Sequence, residues 1–338
     1  CSQHVRYIPA AWSSNWDFGV KIACLSDEYG IDGFSAPYLF AFAVELYEAG
    51  ILTDKDMPGF PPKGADGSDE ERFFWLLEKV VRREGIGDIL ANGTYWAARQ
   101  IGRGAEAYDT NTVKKHEQAP NKLGMLDPLY YLMYATGEKI NLTQTQGSFP
   151  QEPLPTREER EEFVKDWIQV PNERIKEYFL NWEPLSFPYN PPIQACCEIV
   201  DWNEMMHYIT DCLGICAWVS AVFCLKAPYH IHNLPHIISA ATGLDIDEAE
   251  LTKISSRVRN LIRAINVRRG LRRKDERPPE DAWKHRFPEY EAKLLDEYYK
   301  FKGWNNQGIP TKESLHELAL DYVSEGLEQR GIYENEKS

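Results

Sequence analysis

The sequence DEYGID at residues 27–32 recurs in looser form as DCLGIC at residues 211–216. Both stretches read Asp-x-x-Gly-aliphatic-(Asp or Cys), and each follows a segment with helical periodicity. Because glycine tolerates the left-handed backbone that commonly ends a helix, the pattern predicts two helix ends with acidic side chains pointing outward. Such side chains can accept hydrogen bonds from a ring that carries N–H and amino groups. So loose a pattern can also recur by chance, and two ordinary helix caps remain an alternative.

Helical signals dominate the rest of the chain. In residues 37–50 apolar positions lie three and four apart and stop at Gly50, which predicts a helix that ends there. Ser68 and Glu71 have the spacing of a capping box before the next helix. Further helices are predicted at residues 92–101, 129–134, 157–167, 172–182, 202–213 and 249–269. Since strand signals are scarce, the sequence predicts a mainly α protein.

The length of 338 residues and the hydrophobic content of 43% favour about two domains. Proline-rich stretches between residues 147 and 192 mark the predicted boundary, which gives helical domains at residues 1–150 and 151–338. The first domain carries the first turn and the second domain carries the other. Cys1 stands in place of methionine and no charged and apolar leader follows it, so we expect a piece of a longer polypeptide.

The formal net charge of −14 argues against a nucleic-acid partner or an anionic membrane surface, because both carry negative phosphates. The longest apolar stretch, residues 212–225, is too short for a transmembrane segment and is predicted to be a buried helix. The 7 irregularly spaced cysteines favour a reducing cytoplasm over a secreted disulfide framework. The basic run at residues 268–274 is interpreted as a solvated surface or, alternatively, as a phosphate-binding site.

The two turns and their order resemble the pterin-binding motifs of the tungsten-containing aldehyde ferredoxin oxidoreductase family. Residues 33–37, 41–52 and 80–102 are similar to stretches of that family as well. The resemblance implies the C-terminal helical domains of that fold, domains two and three, with the N-terminal half missing from this sequence. Within the family, KKHEQ at 114–118, YYLMYATGEKIN at 130–141 and KGWNNQGIPTKE at 302–313 most resemble the tungsten subunit of the benzoyl-CoA reductase branch.

The resemblance further implies a tungsten bis-pyranopterin and a [4Fe–4S] cluster. The implied cofactor contacts are Asp27, Gly30, Ile31 and Asp32 in the first turn, Asp211, Gly214 and Ile215 in the second, and, by position in the family's loop only, Lys139, Asn141 and Thr143.

Two cysteines are implied metal ligands. Cys216 would be the last cluster ligand, with the other three cysteines outside this sequence; from residue type alone it would be a buried core cysteine. Cys1 would bind tungsten, or it is an accidental first residue.

The remaining candidates are proton donors and core residues. His4 and the adjacent pair His116 and Glu117, which we place in a loop, are candidate catalytic residues, although such groups are also commonly solvated surface residues. Five cysteines on apolar helical faces are predicted to be core residues, namely Cys24, Cys196, Cys197, Cys212 and Cys224.

Three functions compete. The resemblance implies reduction of an aromatic acyl-CoA to a cyclic dienoyl-CoA, with an iron–sulfur subunit or ferredoxin as redox partner in a hetero-oligomer. The second is oxidation of an aldehyde to a carboxylic acid. Family members with that activity place Arg-Gly and then His after an Ala-Thr pair, whereas here Ala135 and Thr136 lead to Lys139 and Thr143. The third is a helical interaction protein that has kept the fold without the cofactor.

Overall fold

The computed structural model describes residues 15–33, 35–117, 128–137, 156–166, 192–215, 233–277 and 287–333, together with residues 177 and 180. Within these ranges the protein is mainly helical, as predicted, and its strands are two residues long. The described residues form two compact units, unit 1 up to residue 117 and unit 2 from residue 128. None of the helices in these ranges combines the length and the apolar content needed to span a membrane.

Unit 1 consists of helices followed by a short hairpin. Its elements are α1 (Trp16–Tyr29), α2 (Ser35–Glu48), α3 (Glu70–Arg82), α4 (Ile86–Leu90), α5 (Thr94–Ile101), a 3-10 turn (Ala105–Tyr108), β1 (Thr112–Val113) and β2 (His116–Glu117). The two strands pair antiparallel, with Val113 opposite His116.

An aromatic cluster holds the helices of unit 1 together. The ring of Phe73 on α3 meets Phe18 on α1 and Phe40 on α2 edge-to-face, at centroid distances of 6.3 and 5.5 Å. Edge-to-face pairs at these distances add about 0.5–1.5 kcal/mol beyond the burial of their area. Ile31 packs against the same core. The cluster therefore fixes the end of α1, where the first turn lies.

The predicted capping box at Ser68 and Glu71 is wrong. Helix α3 begins at Glu70, and the side chain of its N-cap residue Asp69 makes no capping hydrogen bond. Asp69 instead accepts a hydrogen bond from the buried guanidinium of Arg72 at 3.1 Å, and Arg72 also donates to Glu48 on α2. An i,i+3 ion pair with Arg72 thus replaces the cap, and Arg72 connects it to α2.

Apart from an isolated β-bridge between Trp304 and Pro310, unit 2 is helical in the regular elements of its described residues. Its elements are α6 (Pro128–Thr136), α7 (Arg157–Asp166), α8 (Ile193–Cys212), α9 (Leu234–Thr242), α10 (Glu248–Arg268), a 3-10 turn (Arg273–Asp275), α11 (Pro288–Phe301), α12 (Lys312–Glu317) and α13 (Asp321–Glu328).

Helix α8 is the centre of unit 2, where it packs against α6, α10 and α11. It starts at Ile193, well before the predicted start at residue 202. The prediction missed the first turns because they are buried on several sides and show no single apolar stripe. Helix α6 also packs within unit 2, although the sequence analysis placed it in the first domain. Proline content marks loops and does not report which helices pack together, so the domain ranges stay predictions.

The cysteine predictions are confirmed in part. Cys196 and Cys197 are buried in α8, and burial, followed by nearby acidic groups, raises the pKa of the Cys197 thiol to about 12. Cys24 and Cys212 are exposed, so the core assignment is wrong for both. Cys24 lies on the face of α1 that also exposes Trp16, and Cys212 lies in the last turn of α8. Cys224 lies outside the described residues.

We expect Gly87→Ala to destabilise unit 1. Helix α4 packs so closely on α3 that a Cβ at Gly87 would overlap the backbone carbonyl of Lys79. Overpacking of this kind typically costs about 1–3 kcal/mol, and backbone atoms cannot rotate away. Gly326→Ala in α13 is the control, because its Cβ would meet nothing within 4 Å. Amide hydrogen exchange at residues 79–90 should accelerate only in Gly87→Ala; equal protection in both variants would contradict the prediction.

Candidate functional site

The predicted helix ends are both present, and the first lies at the end of α1. Gly30 adopts a left-handed conformation with φ of 66°. Its N–H donates to the carbonyl of Asp27 at 3.3 Å, and the N–H of Ile31 donates to the carbonyl of Ser26 at 2.8 Å. These two bonds form the Schellman motif, which satisfies the last carbonyls of a helix.

The second turn, at the end of α8, repeats the same backbone geometry. Gly214 has φ of 68°, and its N–H donates to the carbonyl of Asp211 at 3.1 Å. The N–H of Ile215 donates to the carbonyl of Thr210 at 2.9 Å. The recurring sequence pattern therefore encodes one local structure twice, once in each unit.

A buried hydroxyl precedes each acidic residue, and the sequence analysis missed it. The hydroxyl of Ser26 donates to the carbonyl of Ile22 at 2.8 Å, and that of Thr210 donates to the carbonyl of Met206 at 3.0 Å. Both side chains are buried. The full repeat is (Ser/Thr)-Asp-x-x-Gly-Ile, a signal that was visible once the two stretches were aligned.

Each turn points its acidic residue outward. Asp27 and Asp211 are exposed, whereas the isoleucine after each glycine is half-buried. Within the described residues, a Cβ added at Gly30 or Gly214 would meet nothing within 4 Å. Each turn thus carries an exposed carboxylate beside a glycine that the described residues leave uncrowded.

Asp32, the last residue of the first repeat, has an additional structural role. Its carboxylate accepts hydrogen bonds from the backbone N–H and the hydroxyl of Ser35, at 3.1 and 2.7 Å. Asp32 therefore supports the start of α2 as well as ending the turn.

Six of the predicted site residues lie outside the described residues, and their roles stay predictions. They are Cys1, His4, Lys139, Asn141, Thr143 and Cys216. Within the part of the chain that the structure describes, no group of three or more His, Cys, Asp or Glu side chains could hold a metal ion.

His116 and Glu117 lie in strand β2, not in a loop as expected. Successive residues of a strand face opposite sides, so His116 is exposed while Glu117 is buried. The Glu117 carboxylate accepts a hydrogen bond of 2.6 Å from the backbone N–H of Thr94, the first residue of α5. A carboxylate is favourable at this positive helix end. The structure gives Glu117 a capping role, and proton transfer by the pair stays a prediction.

Arginines of the basic run at residues 268–274 contact their own unit. The guanidinium of Arg272 donates to the carbonyls of Val267 and Leu271, at 2.9 and 2.7 Å. Arg273 forms an ion pair of 2.6 Å with Asp296 on α11. These contacts support the end of α10.

A buried charged cluster surrounds Glu204 on α8. Its Oε1 accepts hydrogen bonds from Nε of Arg259 at 3.2 Å and from the hydroxyl of Tyr298 at 2.7 Å. Its Oε2 accepts from Nζ of Lys302 at 3.1 Å, and Lys302 also reaches Asp201 at 2.5 Å. The carboxylate of Glu204 thus receives donors from both α10 and α11.

The charges in this cluster determine the ionisation of Glu204. Burial alone would raise the pKa of Glu204, but the positive charges of Arg259 and Lys302 outweigh it, so the pKa is lowered. Burial and the neighbouring Glu204 carboxylate raise the pKa of Tyr298 well above its usual value. Glu204 is therefore ionised and Tyr298 neutral at physiological pH.

Residues 11–320 match the family model described as aldehyde ferredoxin oxidoreductase, domains 2 and 3. This chain belongs to the aldehyde ferredoxin oxidoreductase family. The resemblance inferred from the two turns is thereby confirmed. The mainly α fold expected for domains two and three is confirmed as well.

Individual relatives of the family refine this picture. The chain is 27% identical over 350 residues to the tungsten-containing aldehyde ferredoxin oxidoreductase of Pyrococcus abyssi, which covers 94% of this chain and 51% of that protein. A shorter match of 46% identity over 82 residues joins it to the WOR-like subunit of an aliphatic sulfonate oxidoreductase of Pyrococcus furiosus, over 24% of this chain and 12% of that subunit.

A solved structure gives a closer match. It is described as the active site complex BamBC of benzoyl coenzyme A reductase in complex with 1,5-dienoyl-CoA. The TM-score is 0.89 at 58% sequence identity, and the match covers 98% of this chain and 50% of that chain. This chain of the aldehyde ferredoxin oxidoreductase family therefore spans about half the length of the relatives that it matches.

We expect Gly214→Val to destabilise the end of α8 more than Gly214→Asn. A Cβ at this position would meet no other atom of the described residues within 4 Å, so the comparison reports mainly on the left-handed backbone. That conformation costs an L-residue roughly 1–2 kcal/mol, less for Asn and more for a β-branched side chain. Hydrogen exchange at residues 206–215 measures the difference. Equal protection of the two variants would show that the turn does not depend on a left-handed residue.

We expect Glu204→Gln to lower the free energy of unfolding by about 3–5 kcal/mol at neutral pH, because it removes a buried counter-charge of Arg259 and leaves Lys302 with Asp201 as its carboxylate partner. Since the folded-state pKa of Glu204 lies below its reference of 4.5, its contribution is complete above that pH and is lost as pH falls through the folded pKa. Urea unfolding at several pH values should show the difference from wild type shrinking in acid. A difference that stays constant down to acidic pH would contradict this assignment.

Proposed function

We propose that this chain is the C-terminal part of the catalytic subunit of a tungsten-pterin, iron–sulfur oxidoreductase that reduces benzoyl-CoA or a related aromatic acyl-CoA to a cyclic dienoyl-CoA. The observation that carries the proposal is 58% identity across 98% of this chain with a benzoyl coenzyme A reductase complex. Identity to the aldehyde-oxidising relative from Pyrococcus abyssi is 27%.

The two turns suit a pair of pterins chemically. A pterin ring presents N–H and amino donors, and Asp27 and Asp211 offer exposed carboxylate acceptors. The open space beside Gly30 and Gly214 lets a flat ring approach the backbone. Because the two turns have the same geometry, they suit two copies of one group. Ile31, Asp32 and Ile215 complete the proposed contacts, together with Lys139, Asn141 and Thr143 after α6.

The metal ligands in the proposal are cysteines. Cys216 directly follows the second turn, and its thiolate would ligate the [4Fe–4S] cluster. Cys1 would ligate tungsten. When bound, the tungsten-pterin group supplies the two-electron redox chemistry, and the protein orients the substrate ring and excludes water. His4, His116 and Glu117 are the proposed proton donors.

Electrons would pass between the cluster and an iron–sulfur partner subunit or ferredoxin in a hetero-oligomer. The structure matched at 58% identity is itself described as a complex with a dienoyl-CoA, which supports an acyl-CoA substrate. Reduction of an aromatic ring requires a very low reduction potential, so we propose an oxygen-free cytoplasmic location.

Aldehyde oxidation is the second candidate, because matched relatives from Pyrococcus are named aldehyde ferredoxin oxidoreductases. The residues after Thr136 speak against it, since the Arg-Gly and His of aldehyde-oxidising members are replaced by Lys139 and Thr143. Membership of a tungsten oxidoreductase family speaks against a cofactor-free interaction protein.

The test uses the full-length protein, purified with its partner without oxygen. We expect tungsten in elemental analysis and viologen-linked turnover of benzoyl-CoA or its cyclic diene, with no turnover of benzaldehyde. Oxidation of benzaldehyde alone would overturn the proposal.

A cysteine variant tests the cluster assignment. We expect Cys216→Ser to lose iron and the electron paramagnetic resonance signal of the cluster. Cys24→Ser, which replaces an exposed cysteine on α1, should retain both. Full iron content and an unchanged signal in Cys216→Ser would refute the ligand role.

A further inference from the structure

Helix α10 carries two buried arginines one turn apart, Arg259 and Arg263. Their side chains are 1% and 0% exposed, and each forms an ion pair with a buried glutamate. The guanidinium carbons lie 4.8 and 4.4 Å from the ring centroid of Trp304. Removing a guanidinium from water costs several kcal/mol, and a buried ion pair is often no more stabilising than apolar residues of similar volume. Stability alone is therefore a weak explanation for the pair.

Arg259 connects α8 with the C-terminal end of α6. Its Nε donates to Glu204 on α8 at 3.2 Å, and one terminal nitrogen donates to the backbone carbonyl of Thr136 at 3.2 Å. Thr136 is the last residue of α6, directly before the segment that contains Lys139. Glu204 lies two helical turns before Asp211 in the second repeat.

We propose that Arg259 is a positioning residue that fixes the second cofactor turn, residues 210–215, relative to the C-terminal end of α6. The inference rests on the proposed function, in which that turn contacts the cofactor. An α-helix is stiff over two turns, so a shift of α8 at Glu204 carries Asp211 with it. The C-terminal carbonyl of α6 accepts a hydrogen bond from Arg259, so α6 is fixed to the same guanidinium.

The geometry of the guanidinium suits this task. The N–H groups of the planar guanidinium donate to two acceptors at a fixed angle, whereas a lysine ammonium is a point charge on a flexible side chain. A carbonyl at a helix C-terminus is also a favourable acceptor for a cation. Tyr298 and Lys302 hold the Glu204 carboxylate from the other side, so that the carboxylate offers Arg259 a fixed partner.

Arg263 provides a matched control on the same helix. It is equally buried and lies beside the same tryptophan, but its guanidinium donates to Glu276 at 2.6 Å and to the carbonyl of Gly308 at 2.7 Å. Both partners follow α10 in the chain, in the 3-10 turn region and in the loop after α11. Arginine to lysine at either position keeps the charge and removes the fork.

The experiment compares Arg259→Lys with Arg263→Lys in the full-length protein, purified with its partner. We expect both to lower the melting temperature. Only Arg259→Lys should accelerate exchange of the Gly214 and Ile215 amides, by about tenfold, and of amides at residues 131–137. It should also lower the tungsten content per protein, whereas Arg263→Lys should retain it. Tyr298→Phe, which removes one donor to Glu204 without changing a charge, should show the same effects more weakly.

Equal exchange and equal tungsten content in the two lysine variants would overturn the positioning role and reduce Arg259 to a structural residue. If Arg259→Lys fails to fold, the Tyr298→Phe exchange data decide in the same way. The exchange comparison needs no substrate. A wild-type protein without acyl-CoA turnover would therefore contradict the proposed function without affecting the exchange comparison.

Discussion

The left-handed glycine at the end of α1 and of α8 is the constraint on which the rest of the candidate site depends. At Gly30 and Gly214 the backbone reverses within one residue, and main-chain N–H groups satisfy the last carbonyls of each helix. Main-chain N–H groups satisfy these carbonyls, and a carboxylate can only accept hydrogen bonds, so the side chains of Asp27 and Asp211 take no part in ending the helices. Asp27 and Asp211 are placed at the surface by helices whose other faces lie in a core. The two candidate contact residues are thus held by the same turns that end the helices.

Local signals in the sequence were enough to predict this constraint and most of the helices. The helix that stops before Gly50, the long helix α10 and the glycine turns all follow from periodicity and from backbone preferences of single residues. The family followed from the turns together with longer similar stretches. These features share a property: each is determined by residues close together in the chain.

Features that depend on distant partners could not be predicted. Glu117 caps α5 across a separation of 23 residues, and a local reading placed it in a loop beside His116. Arg259 and Arg263 lie inside the helix predicted at residues 249–269, where nothing in the sequence indicated their burial. They are fully buried, because Glu204 and Glu276 are brought to them by other parts of unit 2. A charged residue in a sequence is predicted to be exposed to solvent unless its ion-pair partner can be identified.

The cysteines of α8 have a consequence for how such a protein would be damaged by air. Only a thiolate reacts readily with oxidants, and the pKa of about 12 keeps Cys197 protonated at neutral pH. Cys24 and Cys212, each within a few residues of one of the two turns, are open to solvent. Among the cysteines that the structure describes, oxidation would therefore begin at Cys24 and Cys212 and spare the interior of α8. Such damage would leave the core packing in place, and an oxidised sample could still give the far-ultraviolet spectrum of an intact helical protein.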